Sequence, residues 1–256
     1  MGTWDLSGRR AIVTGATRGI GRATAEELSR LGAAVFVCAR SEEDVADLVA
    51  ELRGHGEAYG LAADLSEAAG CAALLDAARS QWSDGIDVLV NNVGTNIRRS
   101  SLEYTLEELR ALMAVNLESA WALCRGCHPM MVARGGGSIV NVSSVSSTVI
   151  VQTSTAAYAM TKGAMDQMTR FFAVEWAPQE IRVSSVHPWY IATPLAEQVL
   201  KDPVKRDKIV GATPLGRIGE PEEVARAIAF LAMDASSYIS GVHLVVDGAF
   251  SRLGIR

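Results

Sequence analysis

The chain has 256 residues, with 24 Lys and Arg against 29 Asp and Glu and a formal net charge of -5. These charges interleave, so no basic stripe is available to pair with a nucleic-acid backbone or an anionic membrane, and no segment has the uninterrupted apolar length that spans a bilayer. The opening residues carry Asp5 and no apolar run before Arg9 and Arg10, which does not read as a signal peptide, so the expectation is a soluble, cytoplasmic protein.

Short β-branched runs alternate with longer segments of helical period along the whole chain. That rhythm predicts one α/β domain over 1–256, a Rossmann-type doubly wound parallel sheet of about seven strands with helices on both faces. The strand candidates are Ala11–Thr14, Ala34–Cys38, Ala58–Ala62, Val88–Asn91, Ser138–Val142, Arg182–Val186 and His243–Val246. Helices are expected near 19–31, 42–53, 67–82, 105–134, 156–177 and 221–233, with Ser41 and Ser66 as N-caps. The least regular stretch, 194–221, is broken by Pro203, Gly211, Pro214, Gly216 and Gly219, and is expected to cover a ligand crevice as a lid.

Directly after the first strand comes Thr14-Gly15-Ala16-Thr17-Arg18-Gly19-Ile20-Gly21, followed by a helix. Glycines there let the backbone approach a pyrophosphate, which the free N–H groups and positive end of the helix can bind. An NAD site usually places an acid about 20 residues further on, to hold the ribose 2′-hydroxyl. This chain has Arg40 instead, with Arg18 nearby, a pair suited to a 2′-phosphate, so the expected cofactor is NADP(H). Arg40 as a plain surface residue is the alternative, and Glu42 and Glu43 read as first-turn residues behind the Ser41 cap. Asp64 and Leu65 after the third strand are placed to meet the adenine edge, and Asn92 and Gly94 after the fourth to support the middle of the cofactor.

Four cysteines, Cys38, Cys71, Cys124 and Cys127, are too few and too scattered for a disulfide framework. The run Cys124-Arg125-Gly126-Cys127-His128 has the spacing of a c-type haem attachment site, but it continues the helical pattern of 116–121, so packing is the expected role and no metal is expected.

Tyr158 and Lys162 are four apart near the start of a helix and therefore share a face. A phenol with a pKa of about 10 needs roughly 4 kcal/mol of preferential phenolate stabilisation to work near neutrality. One adjacent cation supplies a large part of that, which gives Lys162 a task. Taken alone, the pair reads more readily as a Tyr and a Lys on a solvated helix, because this spacing is common by chance. Ser143 and Ser144 end the fifth strand, where a hydroxyl can polarise a carbonyl, and Asn116 sits inside a helical run where asparagine is intrinsically unfavourable.

In this order, the Thr14–Gly21 loop, Asn91-Asn92-x-Gly94, Asn116, Ser144, Tyr158-x-x-x-Lys162 and Pro188-x-x-x-x-Thr193 resemble the short-chain dehydrogenase/reductase family across essentially the whole chain. Asn91–Asn96, Lys162–Met165 and Pro188–Ile191 resemble the tropinone reductase-like members more closely. The resemblance implies a homotetramer or homodimer in which Tyr158 protonates a carbonyl oxygen as hydride arrives from a nicotinamide. It further implies that Ser144 orients the carbonyl, that Lys162 lowers the Tyr158 pKa and binds the ribose, that Asn116 positions a water, and that Pro188, Ile191 and Thr193 border the carboxamide. Val93 stands where the family usually has Ala, and Trp189 where it usually has Gly. The Ser-to-Tyr spacing is one residue longer than the commonest one, which favours Ser144 over Ser143. The implied reaction is NADP(H)-linked reduction of a ketone or its reverse. Reduction of a 3-oxoacyl thioester, hydroxysteroid oxidation and a non-catalytic NADPH-binding regulator are the alternatives. Thr95, Asn96, Val149, Ile150, Tyr190 and the 194–211 lid are the expected substrate contacts, a set without a fixed charge, which predicts a neutral or weakly polar ketone.

Overall fold

In the computed structural model, which describes residues 3–252, seven strands form one parallel sheet in the order β3-β2-β1-β4-β5-β6-β7. They are β1 (Arg10–Thr14), β2 (Ala34–Ala39), β3 (Ala58–Ala62), β4 (Val88–Asn91), β5 (Gly137–Val142), β6 (Ile181–Pro188) and β7 (His243–Val246). The helices are α1 (Gly19–Arg30), α2 (Glu42–Leu52), α3 (Ala68–Gln81), α4 (Leu106–Met113), α5 (Ser119–Ala133), α6 (Ala156–Glu175), α7 (Pro194–Leu200), α8 (Pro203–Ala212) and α9 (Pro221–Ala232). No helix among the described residues is long and apolar enough to cross a membrane.

Two-residue alternation along the strands sends side chains to both faces of the sheet. Val13, Val35, Val37 and Val90 pack with Leu28 of α1, Leu48 of α2 and Ile228 of α9. Their neighbours Ile12, Phe36, Leu89 and Ile139 pack on the opposite side with Leu74 of α3, Met131 of α5 and Phe172 of α6. Each large side chain buried this way contributes about 1.5–3 kcal/mol. With both faces covered, only the strand ends are open to a ligand. The order reverses at β1 and β4, which pair Ala11 with Val88 and Val13 with Val90, and the crevice of such a sheet opens at that point beyond the carboxyl ends.

Three local expectations are revised. The helix expected over 105–134 is two helices joined by a π turn at Ala114–Glu118, in which Asn116 is fully buried. Ser66 does not cap α3; its N–H and hydroxyl both donate to Asp64, and Glu67 takes the cap position without a side-chain bond. The stretch 194–221 contains α7 and α8, the second started by Pro203 behind Asp202, whose carboxylate accepts from the Val204 and Lys205 N–H groups. Ser41 does cap α2, accepting from the Asp44 N–H at 3.2 Å.

The cysteines are all free and buried. Burial pushes the Cys124 thiol up to about 12 and raises Cys127 further, while His128 lies against Trp176 at 4.9 Å between ring centroids. These are packing residues of α5.

Candidate active site

The loop between β1 and α1 is shaped by its glycines. Gly15 and Gly19 have φ of +60° and +56°, a region that L side chains avoid. A Cβ on Gly21 would lie 2.1 Å from the Gly15 carbonyl oxygen, so the first turn of α1 can close against the loop only without one. Thr17, half-buried, completes the turn, and Arg18 stands exposed at the N-cap position without a side-chain cap bond. The N–H groups of the first turn thus face the crevice without a side-chain partner at the cap.

Asn92 stiffens this loop from the neighbouring strand. Its amide Nδ2 donates to the Thr14 and Gly15 carbonyls, each at 3.0 Å, and Thr14 Oγ1 accepts from the Asn92 and Val93 N–H groups. Its Nδ2 hydrogens are therefore used by the loop, while Asn92 also lines the crevice.

At the other end, Arg40 is exposed after β2, with no ion pair to it among the described residues. Asp64 is held below its ordinary value chiefly by hydrogen bonds from Ser66, with the Arg40 charge adding to them. Leu65 is buried among apolar neighbours, leaving only its backbone to meet a ligand.

One pocket runs from Ile20, in the first turn of α1, to the strand ends, lined by Asn92, Gly94, Pro188, Ile191 and Thr193 together with Ser144, Tyr158 and Lys162; Gly15, Thr17, Arg18, Gly19, Gly21 and Arg40 are outside its lining. The surroundings fit a dinucleotide: an uncapped helix start beside the pocket suits a pyrophosphate, and the exposed cations Arg18 and Arg40 suit a further phosphate.

Tyr158 and Lys162 occupy the first turns of α6. Burial pushes the Tyr158 phenol above its ordinary value, while a hydrogen bond with Ser144 and the charge of Arg98 pull it back. Lys162 Nζ lies 5.7 Å from the Tyr158 ring centroid and donates to the Val142 carbonyl at 2.7 Å. Burial lowers its pKa to about 8 against the opposing charge of Asp166. Ser144 Oγ also accepts from the Ser146 N–H at 3.1 Å, whereas Ser143 turns away and donates to the Lys162 carbonyl at 3.3 Å. Asn116 does not touch Lys162 through its side chain. Its amide pairs with both backbone groups of Thr95 and donates to Thr161 Oγ1 at 3.1 Å. Asn116 and Lys162 do converge in front of Gly94, where a Cβ would lie 3.5 Å from Asn116 Oδ1 and 3.6 Å from Lys162 Nζ.

The expected substrate contacts divide. Asn96, Ser144 and Tyr190 line the pocket, but Thr95 is engaged by Asn116, Val149 lies outside the lining, and Ile150 is 88% exposed. Val151 and Leu195 also line it. Trp189 is pinned by stacking on Phe250 at 3.5 Å and by donating from its indole N–H to Thr213 at 3.0 Å, which fastens the end of α8 to the strand that carries Pro188.

Sequence reasoning missed two groups. Arg98 lines the pocket, so the wall carries a charge where none was expected. Asp166, one turn beyond Lys162, lies 3.0 Å from His187 Nε2 and 3.8 Å from His243 Nδ1. Although burial opposes it, bonding from His187, Ser147 and Ser143 holds the Asp166 carboxyl below its ordinary value. The four-residue repeat of Tyr158, Lys162 and Asp166 was the available signal. For Arg98 there was none, because nothing distinguishes it in sequence from Arg99.

A family model described as enoyl-(acyl carrier protein) reductase matches residues 15–251. A tropinone reductase homolog of Arabidopsis thaliana is 45% identical over 249 residues, covering 97% of this chain and 94% of that protein. Among solved structures, a putative NAD(P)-dependent gluconate 5-dehydrogenase from Beutenbergia cavernae with bound NADP has a TM-score of 0.93 at 36% identity, covering 98% of this chain and all of that one. A 7α-hydroxysteroid dehydrogenase in complex with NADH and 7-oxo glycochenodeoxycholic acid has a TM-score of 0.91 at 29% identity, covering 96% and 95%. With its doubly wound sheet, its glycine loop and its Tyr-x-x-x-Lys helix, the chain belongs to the short-chain dehydrogenase/reductase family of oxidoreductases.

Proposed function

We propose that this oxidoreductase uses NADP(H) to reduce a ketone to a secondary alcohol, or runs the reverse reaction, with Tyr158 as the proton donor. The observation that carries the reading is that Ser144, Tyr158 and Lys162 line one pocket, with Lys162 Nζ 5.7 Å from the Tyr158 ring centroid. NADP(H) is favoured by Arg18 and Arg40, and by the NADP bound to the gluconate 5-dehydrogenase relative.

Bound across the strand ends, the nicotinamide supplies or accepts the hydride. Gly15, Gly19 and Gly21 admit the pyrophosphate, Arg18 and Arg40 hold the 2′-phosphate, and Lys162 takes a ribose hydroxyl. Tyr158 passes its phenolic proton to the carbonyl oxygen as that oxygen gains charge. Ser144 donates to the same oxygen, fixing the carbonyl beside the phenol. The phenolate left on Tyr158 is stabilised by the cations Lys162 and Arg98, which line the same pocket. Asn116 acts on this centre by fixing the Thr95 backbone.

Association into a homodimer or homotetramer is part of the same proposal. The α5–α6 face exposes Trp121, Phe171 and Val174, at 46%, 70% and 79%. A grouped apolar surface of this kind is characteristic of an interface.

The test is NADPH consumption over a panel of ketones, quinones and acyl thioesters. Turnover is expected, and Tyr158→Phe is expected to lower kcat about 10²- to 10⁴-fold while NADPH binding persists. Tight NADPH binding with no turnover anywhere on the panel would favour the non-catalytic regulator.

A further inference from the structure

Arg98 and Arg99 are adjacent in sequence and opposite in use. Arg99 is paired: its Nε donates to Glu108 at 2.8 Å, and its backbone N–H donates to the Ser154 carbonyl at 3.0 Å. Arg98 lines the pocket, and its Nε is buried with no hydrogen-bond partner. The segment that presents it is fastened on both sides. Asn116 holds Thr95, and the Tyr104 hydroxyl donates to the Ile97 carbonyl. The guanidinium is therefore held in the wall by its neighbours, without a carboxylate of its own among the described residues.

The rest of the wall has the same sign. Lys162 and Arg98 both line the pocket, and no Asp or Glu does. Tyr190 lies within the field of Arg98, which pulls its phenol down against burial. The Tyr190 oxygen accepts from Gln152 Nε2 at 2.7 Å, which leaves its O–H free to donate. A neutral hydrocarbon ketone would satisfy none of these atoms. A carboxylate satisfies the guanidinium and the Tyr190 hydroxyl together, through the charge-assisted and neutral bonds that such an anion accepts.

We propose that Arg98 and Tyr190 form a carboxylate-binding subsite in the pocket that Ser144 and Tyr158 also line, so that the substrate is an oxo acid, or the matching hydroxy acid in the reverse direction. This replaces the neutral ketone expected from sequence, and it rests on the carbonyl-reductase reading of the same pocket. The distance from carbonyl to carboxylate decides which chain length fits.

The test compares 2-oxobutanoate, 4-oxopentanoate and 5-oxohexanoate with their methyl esters in NADPH-dependent turnover by wild type, Arg98→Met and Arg98→Lys. At least one acid is expected to exceed its ester in kcat/KM by about tenfold or more in wild type. That ratio should collapse in Arg98→Met and survive in part in Arg98→Lys. Esters that match their acids in wild type, or a ratio that persists in Arg98→Met, overturn the subsite without touching the reductase reading. An equal fall for acid and ester in Arg98→Met also overturns it, because that is the signature of an arginine that serves only the Tyr158 phenolate or the fold. Should no pair be turned over, the reductase reading is decided by the broader panel of ketones, quinones and acyl thioesters, and calorimetric titration of the same pairs into NADPH-loaded protein decides the subsite. Tighter binding of an acid than its ester, lost in Arg98→Met, upholds it; equal or undetectable binding overturns it.

Discussion

The side chain of Asn116 pairs with both backbone groups of Thr95, accepting from its N–H at 2.8 Å and donating to its carbonyl at 3.0 Å. Thr95 begins the segment that leads through Asn96 to Arg98, so this pair fixes the wall of the pocket. Asn116→Ala strips partners from Thr95 and Thr161 together, and the expected loss of stability in urea denaturation is about 2 kcal/mol or more. In kinetics the KM for the carbonyl substrate should rise along with a fall in kcat, since the wall that positions it is loosened.

Cofactor choice is decided at the exposed end of β2. Arg40→Ala should weaken NADPH binding about tenfold or more while leaving NADH nearly unchanged, measured by fluorescence titration. Equal losses for the two cofactors would show that Arg40 does not meet the 2′-phosphate.

The doubly wound sheet was legible in sequence because β-branched runs and helical periods alternate cleanly. The limits of β3, β4 and β7 coincide with those expected, although of the three only β4 is buried at every position. The break at 114–118 was not legible, because it arises from a side chain that seeks tertiary partners on Thr95 and Thr161. The same holds for Arg98: local pattern assigns residue type and spacing, whereas which of two adjacent arginines turns inward depends on what Glu108 and Ser154 offer the other. Asp166 was within reach of helical spacing. Its partners His187 and His243 come from distant strands, and no pattern in the chain joins them to it.

The buried ammonium of Lys162 imposes a pH dependence on stability. Its folded pKa of about 8 lies below the ordinary 10.5, so between these values the unfolded chain binds the extra proton. Stability from this group therefore rises with pH across that window, by about 1.4 kcal/mol per pH unit, and is flat below it. The difference in unfolding free energy between wild type and Lys162→Met, measured in urea without cofactor, should move in favour of wild type between about pH 8 and 10.5. Asp166→Asn removes the opposing charge and should shift the lower edge of that window below 8.

Charge on the apolar helix face tests association. Phe171→Glu places a carboxylate where a ring is 70% exposed, so the fold should persist while sedimentation shifts to a smaller species. An unaltered sedimentation coefficient would show that the contact lies elsewhere.

The π turn at 114–118 has a consequence for what sequence change this fold can absorb. A π turn holds one residue more than an α turn over nearly the same angular sweep, so the extra residue is absorbed locally and α5 keeps its rotational phase relative to α4. Deleting one residue from the turn would restore a regular helix and leave Cys124 and Cys127 facing the core. What it would move is Asn116, whose bonds to Thr95 and Thr161 depend on the widened turn. A drift toward regular geometry would therefore spare the interior and loosen the active centre, so the irregularity is kept by what Asn116 holds and not by the packing downstream of it.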